Sequence, residues 1–388
     1  MTSPRPDRPP PVPTGFGIVL DSWTKQLTPE LWFGGSPVRV ARLTRAGQAA
    51  WNQLEGHSAG PGGHAASRGT PTSPRWPGTP RITSRATGAL ARYFTDTGLA
   101  HPVPPADYAA PAVTVIVPVR DRADLLERCL AGLGGGHPVI VIDDASLDPA
   151  AVAEAAAQHG AKLIRREING GPGAARNTGL VEVTSELVAF VDSDCEPPPE
   201  WIERLAGHFA DPLVAAVAPR ITGRADRTTA GRYTEANGAL DLGGRPGRVQ
   251  PKSAISYVPT AAVLARRAAL LSVARDSVVF EEELRVGEDV DLIWRLNEAG
   301  WRVRYDPAVQ VAHHEPASWR ELLARRYRYG TSAAALAQRH PGHIVHLALQ
   351  PWPAATVAAL LARRPVLAVA AFGAALASTG YRLRQADV

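Results

Sequence analysis

The sequence predicts an α/β protein built on a doubly wound, mostly parallel sheet. Continuous apolar, β-branched runs at 112–119 ("AVTVIVPV") and 138–144 ("PVIVIDD"), with a third at 186–194 ("ELVAFVDSD"), read as strands buried on both faces. Helical spacing alternates with them in "ADLLERCLAGL" (123–133) and "DPAAVAEAAAQHG" (148–160), and that alternation implies parallel strands with crossover helices. Asp143, Asp144, Asp192 and Asp194 all fall at strand carboxyl ends, the rim where such sheets bind ligands.

The elements follow in order. Residues 1–14 are proline-rich and lack an apolar h-region, so a disordered lead is expected rather than a signal peptide. Residues 15–108 are expected to form a small α+β module. Its short strands lie in "GFGIVLD" and "LWFGGSPVRVARLT", and its helices in "RAGQAAWNQLEG" and "ATGALARYFTDTGLA". The Gly/Pro/Ser-rich stretch 57–80 reads as a flexible insert between them. Residues 109–342 hold the sheet. "AKLIRRE" (161–167) supplies a third strand, "GAARNTGLVEV" a third helix, and "GEDVDLIWRLNEAG" a helix ended by Gly300. "WRVRYDP" and "VQVAHH" follow as two further strands. Residues 343–388 form an apolar helical tail broken by Arg363, Arg364 and Pro365. Each uninterrupted part is shorter than the roughly 20 residues that span a bilayer. The tail therefore reads as an interfacial hairpin or a helical pair packed on the domain.

With 388 residues, 45% hydrophobic and 20% charged, a packed core is expected. The formal charge of +5 is carried almost wholly by arginine, Lys25, Lys162 and Lys252 being the only lysines. Such a balance suits phosphate-bearing ligands or an anionic membrane surface. The first hundred residues show no clustered basic helix with base-reading side chains, so no nucleic-acid partner is expected. Cys129 and Cys195 are too few for a disulfide framework and lack metal-ligand spacing; a reducing, cytoplasmic setting fits.

Three stretches carry the chemistry. In "FVDSD", Asp192 and Asp194 crowd two like charges at a strand end; a bound divalent cation is the usual remedy, against the plainer reading of a polar strand end. "VIDDASLD" ends its strand on Asp143 and Asp144, carboxylates able to accept from a nucleobase imide or a ribose hydroxyl, or to cap the next helix. "NGGPGAARNTG" opens a helix with glycines, and helix N-termini favour phosphate. Arg176, one turn in, is placed to pair with a diphosphate or to orient the Asp192–Asp194 acids. In "GEDVDLIWRL", Glu288, Asp289 and Asp291 exceed what a helix cap requires. His313 follows Asp289 by 24 residues, enough to return to the same rim as a metal ligand, whereas His314 reads as structural.

Together "VTVIVPVRDR", "VIDDASLD", "NGGPGAARNTG", "FVDSD" and "GEDVDLIWRLNEAGWRVRYDPAVQVAHH" resemble glycosyltransferase family 2, inverting enzymes of the GT-A fold, over 113–316. "HFADPLVAAVAPRI", "YVPTAAVLARR" and "YGTSAAALAQRHPG" are similar to the mycofactocin-system subgroup, which adds glucose to a peptide-derived redox cofactor. The resemblance implies a nucleotide-sugar site at Pro118, Asp121, Asp143, Asp144, Gly171, Arg176, Asn177 and Asp192. It implies Mg²⁺ or Mn²⁺ on Asp192, Asp194 and His313, with Asp289 as general base beside Glu288. UDP-glucose as donor and a peptide-derived small-molecule acceptor follow from it too. The N-terminal module is similar to small winged-helix domains that recognise peptides in peptide-modifying pathways, which implies contact with a peptide or a pathway protein. The apolar tail adds an expected peripheral place at the inner face of the cell membrane. Two positions depart from the family pattern: Arg120-Asp121-Arg122 ends the first-strand motif, where Asn or Asp is common, and only Phe280 stands where a Gly-Gly-Phe-like segment, which shapes the acceptor side, is expected. The alternatives are a nucleotidyltransferase, which would want its glycine loop directly after the first strand, and a catalytically inactive peptide-binding scaffold.

Overall fold

A computed structural model describes residues 9–56, 79–224, 228–343 and 351–385. They fall into two compact units, one drawn from 1–221 and 242–311, the other from 222–241 and 312–388.

The first unit opens with β1 (Gly17–Leu20), β2 (Lys25–Gln26), β3 (Leu31–Gly34), β4 (Arg39–Arg42), α1 (Arg45–Gly56), α2 (Arg85–Thr97) and β5 (Ala100–Val103). β1 pairs antiparallel with β5, and β2, β3 and β4 make a separate three-stranded sheet. A reciprocal Ser84–Thr87 capping box starts α2, and Gly98, in the left-handed region, ends it. Trp32, Trp51 and Phe94 meet at the centre, the Trp32 ring 4.6 Å from Trp51 and 5.1 Å from Phe94. Residues 9–14, expected to be disordered, are instead seated here. Val12 is buried and its amide donates to the Gly88 carbonyl; a Cβ at Gly88 would lie 2.5 Å from the Val12 oxygen, so only glycine allows the approach. Residues 57–78 of the expected insert lie outside the described residues.

The main sheet contains β6 (Val113–Val119), β7 (Val139–Asp144), β8 (Lys162–Arg166), β9 (Leu187–Val191), β10 (Cys195–Glu196), β11 (Val214–Arg224), β12 (Gly247–Val249), β13 (Ala262–Arg266) and β14 (Arg302–His314). The helices α3 (Ala123–Leu133), α4 (Pro149–Gln158), α5 (Pro172–Val181), α6 (Trp201–Ala206), α7 (Thr229–Ala236), α8 (Arg267–Ser272) and α9 (Glu288–Glu298) connect these strands. The order is β10-β14-β11-β13-β9-β6-β7-β8, with β12 on β14. β9, β6, β7 and β8 are parallel, as the unbroken apolar runs of β6, β7 and β9 predict; β8 is a partly exposed edge strand. β13 then joins β9 antiparallel and β11 joins β13 likewise, so the sheet is mixed beyond its predicted half. The two strands expected in 301–314 are one. Asp306 Oδ1 accepts the Ala308 amide at 3.1 Å, so the chain crosses Pro307 without ending the strand.

In the second unit α7 and α10 (Trp319–Arg339) are capped by Thr228 and Ser318, and the Thr228 hydroxyl donates to the Ala317 carbonyl at 2.7 Å. α11 (Pro351–Leu361) and α12 (Pro365–Gln385) are the two helices of the apolar tail, turning at Arg363, whose φ is 55°. Trp352, Leu360, Leu361, Val366, Val369 and Phe372 on that pair are exposed. Among the described residues no helix is long and apolar enough to cross a membrane.

Candidate active site

The ends of β6 and β7 are tied together by carboxylates. Asp143, fully buried, accepts the Ser146 amide at 2.9 Å and Arg165 Nη1 at 2.5 Å. Ser146 Oγ accepts the Asp121 amide, and Asp121 Oδ1 accepts the Leu147 amide, both at 2.7 Å. These bonds hold Asp121, Arg122 and Ala145 at φ of 59°, 56° and 61°, left-handed values that non-glycine residues keep only under such restraint. Pro118 is buried inside β6, in register with Ile142. Asp144 has a different task. Its Oδ1 accepts Arg166 Nε at 2.8 Å and the Gly170 amide at 2.9 Å, and its Oδ2 accepts the Gly171 amide at 2.7 Å. It is the anchor of the glycine loop.

Gly171, at φ 85°, starts α5 and aims Arg176 inward. Arg176 is 2% exposed; its Nη2 donates to Asp192 Oδ1 at 2.5 Å and its Nη1 to Glu288 Oε1 at 2.8 Å. The guanidinium also sits 5.5 Å above the Phe280 ring. The Arg176–Asp192 bond matches one of the two pairings that the sequence leaves open to Arg176. Asn177, the next residue, fastens the Phe280 segment: Nδ2 donates to the Phe280 carbonyl at 2.8 Å, and Oδ1 accepts its amide at 2.9 Å. Asp192 and Asp194 lie half-buried past β9, and the Asp192 carbonyl accepts the Cys195 amide at 2.9 Å.

Glu288 and Asp289 form the first turn of α9 behind Gly287, which is left-handed at φ 91°. Burial, and then the charge of Asp289, push the Glu288 carboxyl up to about 7 against the pull of Arg176. Asp289 is raised as well, first by burial and further by Asp192, while the Val290 and Thr260 amides and Arg176 oppose the rise. The Tyr257 hydroxyl, raised by burial, also feels the Asp289 charge. Asp192 and Asp194, half-buried close to these groups and offering hard oxygen donors, fit a divalent cation of the Mg²⁺ or Mn²⁺ kind.

Glu288 also sets a stability window. Its folded-state value of about 7 stands above the unfolded 4.5. Its contribution to stability is therefore complete below the unfolded value and lost as pH rises through about 7. Melting temperatures of the metal-free Glu288→Gln variant are expected to fall less between pH 4.5 and 8 than those of wild type. An equal fall in both would remove Glu288 as the cause.

In the second unit, buried His313 places Nδ1 3.0 Å from Glu315 Oε1, and Arg325 lies 3.5 Å from the other Glu315 oxygen. A carboxylate behind an imidazole is how metal-ligating histidines are oriented. His314 is half-buried beside it.

The family model for Glycosyl transferase family 2 matches residues 114–271. Across 383 residues the chain is 37% identical to the Pre-mycofactocin glycosyltransferase of Mycobacterium tuberculosis (strain ATCC 25618 / H37Rv), covering 97% of this chain and 74% of that protein. The chain belongs to glycosyltransferase family 2. It is also 28% identical over 236 residues to Glycosyltransferase AglE of Haloferax volcanii, covering 57% of this chain and 72% of that protein. Among solved structures, the mannosyltransferase PcManGT from Pyrobaculum calidifontis, in complex with GDP-Man and Mn²⁺, overlaps 71% of this chain and 87% of its own. Its TM-score is 0.47 at 24% identity.

Some members of this glycosyltransferase's site were not read from the sequence. Arg165 and Arg166 pin Asp143 and Asp144 because β8 pairs with β7 in that register. The signal was "LIRRE" itself, two arginines in a strand next to two aspartates. Arg285 donates to Asn169 Oδ1 at 3.0 Å and to its carbonyl at 3.2 Å, across the glycine loop from a segment 116 residues away.

Proposed function

We propose that this glycosyltransferase moves a hexose, glucose from UDP-glucose, onto a hydroxyl of a peptide-derived acceptor with inversion at the anomeric carbon. The acceptor class rests on the 37% identical relative, whose name specifies pre-mycofactocin. The mechanism rests above all on one observation: Arg176 joins Asp192 and Glu288 through a single buried guanidinium, beside Asp289.

In this reading Asp192 and Asp194 hold Mg²⁺ or Mn²⁺, which when bound stabilises charge on the departing diphosphate. Asp121, Asp143 and Asp144 shape the nucleoside end, Asp143 held through Ser146 and Arg165 and Asp144 through the glycine loop. Arg176 fixes Asp192 so that the donor meets a preorganised carboxylate. Asp289 accepts the acceptor hydroxyl's proton as that oxygen attacks the face of C1 opposite the leaving group. A single displacement of this kind turns an α-linked donor into a β-glycoside.

The acceptor side draws support from the N-terminal module, whose three-stranded sheet exposes Phe33 and Val40 as a cross-strand pair, with Trp23, Leu27 and Val38 also exposed in the module. Exposed apolar residues on α11 and α12 beside Arg363 and Arg364 support peripheral attachment to an anionic membrane surface.

Calorimetric titration with UDP and UDP-glucose, with Mn²⁺ and with chelator, tests the donor site. Metal-dependent binding is expected in wild type and its loss in Asp192→Ala/Asp194→Ala. Binding indifferent to both metal and variant would overturn the assignment.

A further inference from the structure

The face of α2 that meets the main sheet carries more buried positive charge than its partners neutralise. Arg302 and Arg304 share one face of β14, and Arg248 of β12 lies directly opposite Arg304 in the antiparallel register. Like charges opposed in this way are destabilising unless something compensates them. Two carboxylates face the group. Asp211 is filled by Arg92, whose Nη1 and Nη2 donate to it at 2.7 and 2.8 Å, and by the Leu213 amide. Asp96 is filled by Arg302, at 3.1 and 2.5 Å, and by Arg248 at 3.2 Å.

Arg304 is the cation left over. It is 2% exposed, and Nη1 alone has a partner, the Thr95 carbonyl at 3.2 Å. Its Nε and Nη2 are buried without an acceptor, as is Nε of Arg248. The carbonyls of Thr95 and Asp96 belong to the C-terminal turn of α2, whose dipole contributes about half a negative charge. Four guanidiniums against two carboxylates and that dipole still leave an excess of more than one positive charge. Burial and the neighbouring arginines accordingly depress Arg304 to about 10, Asp96 opposing, and depress Arg248 as well.

We propose that a small inorganic anion of chloride size binds between Arg304 and Arg248, accepting from their unpartnered N–H groups and fastening α2 to the main sheet. The anion supplies the missing acceptor and the missing charge together, and the seating of the N-terminal module becomes anion-dependent.

Melting temperature of the full chain, at constant ionic strength with sodium gluconate replaced stepwise by sodium chloride or bromide, tests this. A saturable rise is expected, about 2 °C at tenfold saturation of the site, reproduced by bromide. Arg304→Met is expected to abolish the rise, because it removes two of the three orphaned donors and most of the excess charge. No saturable halide effect in wild type, or the same rise in Arg304→Met, would overturn the proposal. Should that variant fail to fold, ³⁵Cl linewidths of wild type decide: broadening that bromide competes away supports the site, and unbroadened chloride refutes it.

Discussion

Asp289→Asn is expected to cut sugar transfer by at least about 100-fold, the scale of a lost general base, while UDP affinity stays within about threefold of wild type. The substitution keeps the side chain's size, and the amide oxygen can still accept the Val290 amide, the bond Asp289 Oδ1 makes at 2.8 Å. It removes only the group that can take a proton. Initial rates with saturating donor, beside calorimetry with UDP and Mn²⁺, separate the two effects. Normal transfer by the variant would sink the assignment of the base. The same residue predicts the acid limb of the wild-type profile. Because the Asp289 carboxyl is raised by burial and by Asp192, and must be ionised to accept a proton, kcat/KM should fall at a pH above the ordinary carboxylate range. Activity should return as pH rises.

The parallel half of the fold was legible because its inner strands are buried on both faces and leave uninterrupted apolar, largely β-branched runs. β6, β7 and β9 show this, while the edge strand β8 does not, and the helices among them are marked by Asp148 and Gly171 at their starts. The antiparallel half was not. β13 pairs with β9 in a register from Ala262–Val191 to Arg266–Leu187, and nothing local in "AVLAR" chooses a partner some 75 residues away. The same distance hid the wiring of the site. "FVDSD" and "GED" named the carboxylates, but one guanidinium bridging Asp192 and Glu288 spans contacts 16 and 112 residues apart along the chain. Asp144 was read as a ligand group because its type and strand-end position fit one. Only the fold shows that the Gly170 and Gly171 amides claim it. Pro307 misled in the other direction, since a proline reads as a strand end until Asp306 is seen to take the next amide.

Arg176→Met is expected to be the most destabilising single change in the site, costing about 3–5 kcal/mol, because it strips the buried partner from carboxylates that stay in place. Methionine fills the same channel beside Phe280, so lost packing contributes little and the effect isolates charge. Glu288 and Asp289, already raised while Arg176 is present, must then either ionise uncompensated or remain protonated. That choice gives the prediction its sign. At pH 5 the carboxyls can keep their protons and the loss should be small. At pH 8 ionisation is forced and the loss should be greatest, so the gap in melting temperature between variant and wild type widens as pH rises. A cavity effect would give the same gap at every pH. Arg176→Lys restores one charge without the fork that reaches Asp192 and Glu288 together, and should recover part of the stability but little of the donor affinity. If Arg176→Met and wild type melted in parallel from pH 5 to 8, Arg176 would be a packing residue, and the orientation of Asp192 would need another cause.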